Sequence, residues 1–291
     1  MKKSLIAAVI PVLVLLLAVS CGTGNMVVDN SGNLITEEMK KQEQSSEKDL
    51  KDTNKDKGKQ NAQERRITKK LNEIKNKKWK YPVSASYSPM YLGNTLYLKG
   101  YWKKEPEKVI RVKAVVSKIE QRDGTSYFYY EAPKVGIRYL LRRTDEGLQM
   151  RGIKYPFPLF GFLIDVDIQP EMNTLSFPLK PGKKWTEKAK ASATVLFIPI
   201  VRDIQTDFTA VGKQKIKTAV GELETYHIEA LVDQGGGEGP KLEKYWYAKR
   251  IGYARSDTTS HYVDLVGYRI FNEKKGEFDE VLPKDGAENY E

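Results

Sequence analysis

From about residue 81 onward, the hydrophobic residues of this 291-residue chain recur at every second position, which is the period of a half-buried β-strand. They stand at every even position from Ile110 to Val116, with basic residues at two of the three positions between them. Asp123-Gly124 and the aromatic run Tyr127–Tyr130 follow. This order predicts a hairpin that turns at Asp123-Gly124.

Further segments of the same kind predict more strands. A turn at Asp145-Glu146-Gly147 separates Ile137–Leu141 from Leu148–Ile153. Later strands are predicted at Ala191–Ile200, Gln205–Val211, Thr225–Val232, Lys244–Ala248 and His261–Phe271. Because helical windows are few between them, we expect residues 81–291 to form a mainly all-β domain. Its antiparallel sheet is expected to be curved, to form a partly open barrel, or to fold as a sandwich.

The first twenty residues predict a signal peptide rather than a part of the fold. Two lysines follow Met1, and an apolar run from Leu5 to Val19 comes next. Fifteen residues of helix extend about 22 Å, which is short for a hydrocarbon core of roughly 30 Å. A permanent membrane span is therefore the weaker interpretation of this run.

The sole cysteine of the chain, Cys21, follows this run directly in Leu17-Ala18-Val19-Ser20-Cys21-Gly22. The segment resembles the lipobox of bacterial lipoproteins. The resemblance implies that Cys21 becomes the first mature residue, carries acyl chains and holds the protein on a membrane, with the outer membrane as the expected location. In the alternative, Cys21 is a small residue beside an ordinary signal cleavage site.

Residues 21–80 have the composition of a charged flexible linker. Large apolar residues are rare there, and charges of both signs alternate, so little apolar surface is available to offset the entropy of ordering. Ile67, Leu71 and Ile74 have the spacing of a short amphipathic helix. Such a helix would lie on the domain or on anionic lipid.

The net charge of +11 does not predict a nucleic-acid-binding protein. Residues 81–291 contribute only +4 of it, with the two signs interspersed, and the rest belongs to the signal and the linker. An exported protein would also rarely meet cytoplasmic nucleic acid. We therefore expect membrane contact through the acyl chains and no nucleic-acid partner.

Three stretches in the second half, Phe177–Trp185, Val220–Ile228 and Tyr245–Tyr253, carry a family resemblance. They contain Pro-Leu-x-x-Gly-x-x-Trp, a Gly-x-hydrophobic strand start and Trp-Tyr-Ala-x-x-hydrophobic-Gly. Together they resemble the DUF3108/TapB-like group of exported bacterial proteins. The resemblance implies an antiparallel β fold of lipoprotein-localisation type in the cell envelope and implies no particular chemistry.

Four aromatic residues are candidate ligand contacts. In the strand Tyr245-Trp246-Tyr247, neighbouring side chains point to opposite faces, so either Trp246 or both tyrosines face out of the core. Trp185 is expected to begin a strand as a large apolar side chain. Each of these residues either fills the core or binds an apolar or glycan ligand, and the pattern leaves both open.

Residue types with catalytic or metal-binding chemistry are scarce. The chain has two histidines, His227 and His261, and their spacing to carboxylates singles out no site. One cysteine cannot form an internal disulfide or a cysteine-based zinc site. We expect no catalytic residue, no metal and no cofactor, and we keep an envelope hydrolase only as a distant alternative.

Two functions remain open from the sequence. The first is a non-enzymatic binding or carrier module for a lipid, a glycan or another apolar envelope ligand. The second is a structural or assembly factor that contacts envelope proteins and has no small ligand. A cavity lined by Trp185, Trp246, Phe162 or Leu196 would favour the carrier, and an interior filled by its own side chains would favour the structural role.

The lipid anchor yields the first prediction. Cys21→Ala removes the only thiol, so the variant should take up no fatty-acid label and should lose its acyl attachment to the membrane. Metabolic labelling with palmitate followed by mass spectrometry of the purified chain measures this. A wild-type chain of unmodified mass would contradict the acylation.

Overall fold

The computed structural model describes residues 87–156, 163–195, 197–235 and 239–290. The predicted signal peptide, Cys21 and the predicted linker lie outside these residues. Thirteen β-strands account for most of the described chain. The first seven are β1 (Thr95–Trp102), β2 (Glu105–Arg122), β3 (Thr125–Ala132), β4 (Ile137–Arg143), β5 (Gly147–Pro156), β6 (Leu163–Ser176) and β7 (Lys184–Val195). The others are β8 (Ile198–Thr218), β9 (Gly221–Asp233), β10 (Lys241–Ala248), β11 (Gly252–Asp257), β12 (His261–Asn272) and β13 (Glu277–Val281).

The described ranges include two short 3-10 turns, Pro133–Val135 and Ala287–Tyr290. Within these ranges, no helix has the length and apolar character needed to cross a bilayer.

The strands form an antiparallel meander in which every strand up to β12 pairs with its neighbour in the chain. β1 also pairs with β12, from Thr95 opposite Arg269 to Trp102 opposite His261, so twelve strands close into a barrel. β13 pairs with β12 from Tyr268 onward, beyond the stretch that pairs with β11. The all-β antiparallel prediction is confirmed, and the barrel is fully closed.

Alternating side chains point into the barrel and form one continuous core. The hydrophobic residues at even positions of β2, from Ile110 to Val116, are all buried, as the sequence predicts. The hairpin predicted at Asp123-Gly124 is also present. Both residues have positive φ, 49° and 77°, which is the backbone of a type I′ turn that matches the twist of the flanking strands.

The strand predicted at Ala191–Ile200 is wrong, because the chain reverses within it. β7 ends at Val195, Phe197 has φ of 67°, and β8 starts at Ile198 and runs for 21 residues. The turn lies in an apolar run that lacks glycine, aspartate and asparagine, and the proline of the run, Pro199, comes after the reversal, inside β8.

The two ends of the barrel carry different features. We call the end at which β1 begins the proximal end; the turns between β2 and β3, β4 and β5, and β10 and β11 lie there. The opposite end, with the β7–β8 and β9–β10 turns, is the distal end. These positions follow from the antiparallel order of the strands. Residues Tyr87–Asn94, which precede β1, contribute to the interior at the proximal end.

Candidate functional site

A β-bulge places tyrosines of β10 and β11 inside the barrel. Tyr247 lies opposite Tyr253 and Tyr245 lies opposite Ser256, with a shift of register between Trp246 and Tyr247. The bulge adds one residue to β11, so Tyr253 and Ser256 both face inward although they are three positions apart. The rings of Tyr247 and Tyr253 meet edge to face, with centroids 6.0 Å apart.

Two further interior tyrosines come from β3 and β4. Tyr130 and Tyr139 are direct cross-strand partners, and both are buried. Among the described residues neither hydroxyl has a hydrogen-bond partner. Burial raises the pKa of both phenols above the usual value, so both stay neutral and can donate a hydrogen bond. A buried hydroxyl without a partner costs free energy that a ligand oxygen could recover.

These tyrosines line an apolar cavity at the proximal end of the barrel. Its volume is about 100 Å³. Tyr130, Tyr139, Tyr247 and Tyr253 form part of its wall. Hydrophobic side chains from several strands also line it, among them Leu96, Val116, Leu148, Met150 and Ile270, together with the polar residues Ser88, Asn94 and Thr174. Among the described residues, the hydroxyls of Tyr253 and Ser88 likewise have no hydrogen-bond partner. The cavity therefore combines a mostly apolar wall with four unpartnered hydroxyl groups.

The size of the cavity limits what it can hold. Pockets for drug-sized ligands measure roughly 300–1,000 Å³, whereas an engineered apolar cavity of about 150 Å³ holds one benzene molecule. The volume of the cavity in this barrel is closer to that of the engineered cavity. It suits a small ring or a few methylene groups of a longer chain.

A carboxyl group is also buried inside the barrel. The Glu243 side chain is only 2% exposed and accepts a hydrogen bond from the hydroxyl of Tyr245. Burial raises the pKa of this carboxyl to about 7, and the hydrogen bond from Tyr245 opposes the rise. Glu243 therefore gains or loses its proton near neutral pH.

Trp246 faces the outer side of the wall, yet it is only 9% exposed. Its ring stacks on His227 with centroids 4.6 Å apart and an interplanar angle of 4°. Its Nε1 donates a hydrogen bond of 2.8 Å to Oε1 of Gln214. The Arg255 guanidinium lies 5.8 Å from the ring centroid. The indole is therefore covered by neighbouring side chains on the outside of the barrel.

Trp185 begins its strand as predicted but lies apart from the cavity. Its ring stacks on Phe208 at 4.9 Å, and its Nε1 donates a 3.0 Å hydrogen bond to the backbone oxygen of Asn173. Of the four candidate residues, only Tyr247 lines the cavity, and Tyr245 binds Glu243. Phe162 and Leu196 lie outside the described residues.

His261 belongs to a separate buried cluster at the distal end. Its Nε2 lies 3.3 Å from Oγ of Ser256, and its Nδ1 lies 3.1 Å from Oγ1 of Thr258. Burial, reinforced by Lys103, lowers the pKa of the imidazole to about 4, so the ring is neutral at physiological pH. The described residues contain no group of three or more potential metal ligands. The hydrogen bonds of His261 hold the β11–β12 turn.

Tyr130, Tyr139 and Glu243 were missed as site residues from the sequence. The aromatic run that contains Tyr130 predicted only a strand. Glu243 stands two positions before Tyr245, so the two-residue period places both side chains on one face. A glutamate on an inward face is the one signal that could have pointed to a polar site inside the barrel.

Comparisons with known proteins give no family assignment. No family model matches the chain, and no curated protein matches it. The resemblance to the DUF3108/TapB-like group therefore remains one of short motifs. Among solved structures, the hypothetical lipoprotein YmcC from Escherichia coli (K12) is 10% identical with a TM-score of 0.36, over 68% of this chain and 93% of that one.

A putative lipoprotein from Parabacteroides distasonis ATCC 8503 is 12% identical, with a TM-score of 0.37, over 66% of this chain and 98% of that protein. TM-scores below 0.5 carry neither a fold nor a function from these two proteins to this chain.

The packing of Trp246 yields a stability prediction. Trp246→Ala removes the stack on His227 and a partly buried hydrogen bond, so it should lower the free energy of unfolding by about 3–5 kcal/mol. Leu242→Ala, an exposed site on the same strand, is the matched control and should change it by less than about 0.5 kcal/mol. Denaturant unfolding measures both. Equal effects in the two variants would show that the outer stack adds no stability.

Glu243 yields a pH prediction. Its pKa is higher in the folded chain than the usual 4.5, so its stabilising contribution is complete below about pH 4.5. That contribution is lost as the pH rises through about 7, and the loss amounts to about 3 kcal/mol. In Glu243→Gln this part of the pH dependence should vanish. Urea unfolding at several pH values between 4 and 8 measures it, and parallel curves for the variant and the wild type would contradict the assignment.

Proposed function

We propose that this protein is a lipid-anchored module of the bacterial cell envelope, whose barrel binds a small apolar or amphiphilic ligand. The observation that carries the proposal is the cavity at the proximal end. Ligand sites are concave, mostly apolar and equipped with a few polar groups, and this cavity has all three properties.

The unpartnered hydroxyls define the class of ligand. Tyr130 and Tyr139 meet across neighbouring strands, and both contribute to the cavity wall. A ligand with one oxygen atom next to an apolar segment would accept a hydrogen bond from either phenol and fill the remaining space. An alcohol, a fatty acid or the polar end of a lipid tail has this composition.

The lipid anchor is supported by the sequence alone. Cys21 follows an apolar run of signal-peptide length and is the only cysteine in the chain. An acylated Cys21 would keep the barrel close to a supply of lipid. The proposal concerns binding without catalysis, because the cavity residues provide hydrogen-bond donors and apolar contacts but no nucleophile paired with a base.

A structural or assembly role is the second candidate, and one observation favours it. Most inward-facing side chains pack against one another in a single buried cluster that includes residues of β1 through β12. A barrel filled in this way can serve as a rigid surface for an envelope protein. The two candidates differ in whether the cavity takes up a ligand.

A cavity-filling variant tests the proposal. We use 1-octanol, which has a hydroxyl and an apolar chain, as the probe. At ten times its dissociation constant, bound octanol should add about 1.4 kcal/mol and raise Tm by roughly 3–5 °C. Val116→Phe places a ring in the cavity and should abolish the rise. Val211→Phe makes the same change at an exposed site and should retain it. Differential scanning calorimetry measures all three proteins.

A third variant tests the hydroxyl. Tyr139→Phe keeps the ring and removes the oxygen, so it should weaken octanol binding while leaving the fold as stable as before or more stable. The same Tm rise in the wild type and in Val116→Phe would refute the cavity as the binding site. The structural role would then be the better account.

A further inference from the structure

The β7–β8 turn at the distal end exposes large hydrophobic side chains. Phe197 is 96% exposed, Ile198 is 64% exposed and Val201 is 59% exposed. Leu163, at the start of the neighbouring strand β6, is also half exposed. We call these four residues the apolar tip. Water solvates such a cluster poorly, so its exposure calls for a partner.

The β7–β8 hairpin, which carries three of the four apolar-tip residues, extends beyond the neighbouring strand β9. The ladder between β8 and β9 begins at Gln205, opposite Asp233. In the described chain, the seven residues Ile198–Ile204 therefore pair with β7 alone. The end of the hairpin is therefore a convex projection, on which Phe197, Ile198 and Val201 are exposed.

The projection is free of charge over a considerable length. No Lys, Arg, Asp or Glu occurs from Ala191 to Val201, and charges return at Lys190 and Arg202. Arg202, the charged residue nearest the turn, lies opposite Ala191 in the hairpin ladder, four residues from the last pair, Val195 and Ile198. At about 3.3 Å per residue, the uncharged part of the hairpin is roughly 13 Å long.

We infer that the apolar tip inserts into the surface of a lipid bilayer. A bilayer accommodates a convex apolar projection without a preformed socket, whereas a protein partner would need a matching concave site. Interfacial segments bury their apolar side chains by about 5–10 Å, which the uncharged length of this hairpin exceeds. The charged side chains at Lys190 and Arg202 then stay at the level of the headgroups.

The backbone of the hairpin sets the depth of insertion. The outer edge of β8 between Ile198 and Ile204 has no neighbouring strand among the described residues, so its peptide groups need water or headgroups as partners. The tip therefore reaches the boundary between headgroups and acyl chains and does not cross the hydrocarbon core.

The predicted anchor is compatible with this contact. Sixty-five residues separate Cys21 from Tyr87, and their contour length is about 215 Å. That length allows the distal end to face the same membrane that holds the acyl chains. The inference shares only the membrane location with the proposed function and does not depend on the cavity.

A fluorescent label on the tip tests the inference. The full chain with Phe197→Cys is labelled with the environment-sensitive dye NBD and reconstituted into vesicles of phosphatidylethanolamine and phosphatidylglycerol. Leu282→Cys, at an exposed hydrophobic site outside the hairpin, is the matched control. The wild-type chain, treated in parallel, corrects for any label on Cys21. Lipids with a nitroxide on the acyl chain quench the dye only when it lies within the bilayer.

We expect a blue-shifted emission and about threefold quenching at position 197, with almost none at position 282. Adding Ile198→Ser and Val201→Ser to the labelled variant should reduce quenching to the level of the control. Equal quenching at both sites would overturn the inference. So would a blue shift in vesicle-free solution that grows with protein concentration, since a second copy would then cover the tip. The octanol-induced rise in Tm is independent of either result.

Discussion

The pairing of β1 with β12 is the contact on which the rest of the structure depends. Without it the twelve strands would form an open sheet with two unpaired edges and a wet inner face. Gly100 permits this pairing, because a side chain there would overlap the backbone of β12 at Tyr262 and Val263. Closure turns the inner face of the twelve strands into the wall of one buried interior.

The unusual chemistry of the interior follows from that burial. The Glu243 carboxyl holds its proton up to about pH 7, and the imidazole of His261 stays neutral down to about pH 4, because burial disfavours the charged form of each. The same burial leaves the hydroxyls of Tyr130 and Tyr139 without a hydrogen-bond partner among the described residues. Their unmet hydrogen-bonding capacity gives the small cavity a chemical preference beyond simple apolar affinity.

The sequence predicted the parts of the fold that depend on local pattern. The two-residue period of β2 and the Asp123-Gly124 turn identified the first hairpin, because each is determined by residues close together in the chain. Closure was not predictable, since β1 and β12 are more than 150 residues apart and no local signal selects that pairing. The β7–β8 turn was missed because its apolar residues lack the usual turn chemistry.

The difference between local pattern and contacts between distant strands also explains which features of the site were predicted. Alternation correctly divided Tyr245 and Tyr247 from Trp246, but it could not show that His227, Gln214 and Arg255 would cover the indole. The cavity combines Tyr130 and Tyr139 with residues of β10 and β11, which meet only across the closed barrel. A site assembled from distant strands has no signature in any single segment.

The central claim is that the closed barrel contains a dry apolar chamber able to accept a ligand. A crystal structure of the protein under xenon pressure tests it most directly, because xenon enters apolar cavities that water leaves empty. The account predicts one xenon atom inside the proximal end, in contact with Leu148, Met150 and Ile270. Ordered water molecules in that space, or side chains that fill it completely, would contradict the account.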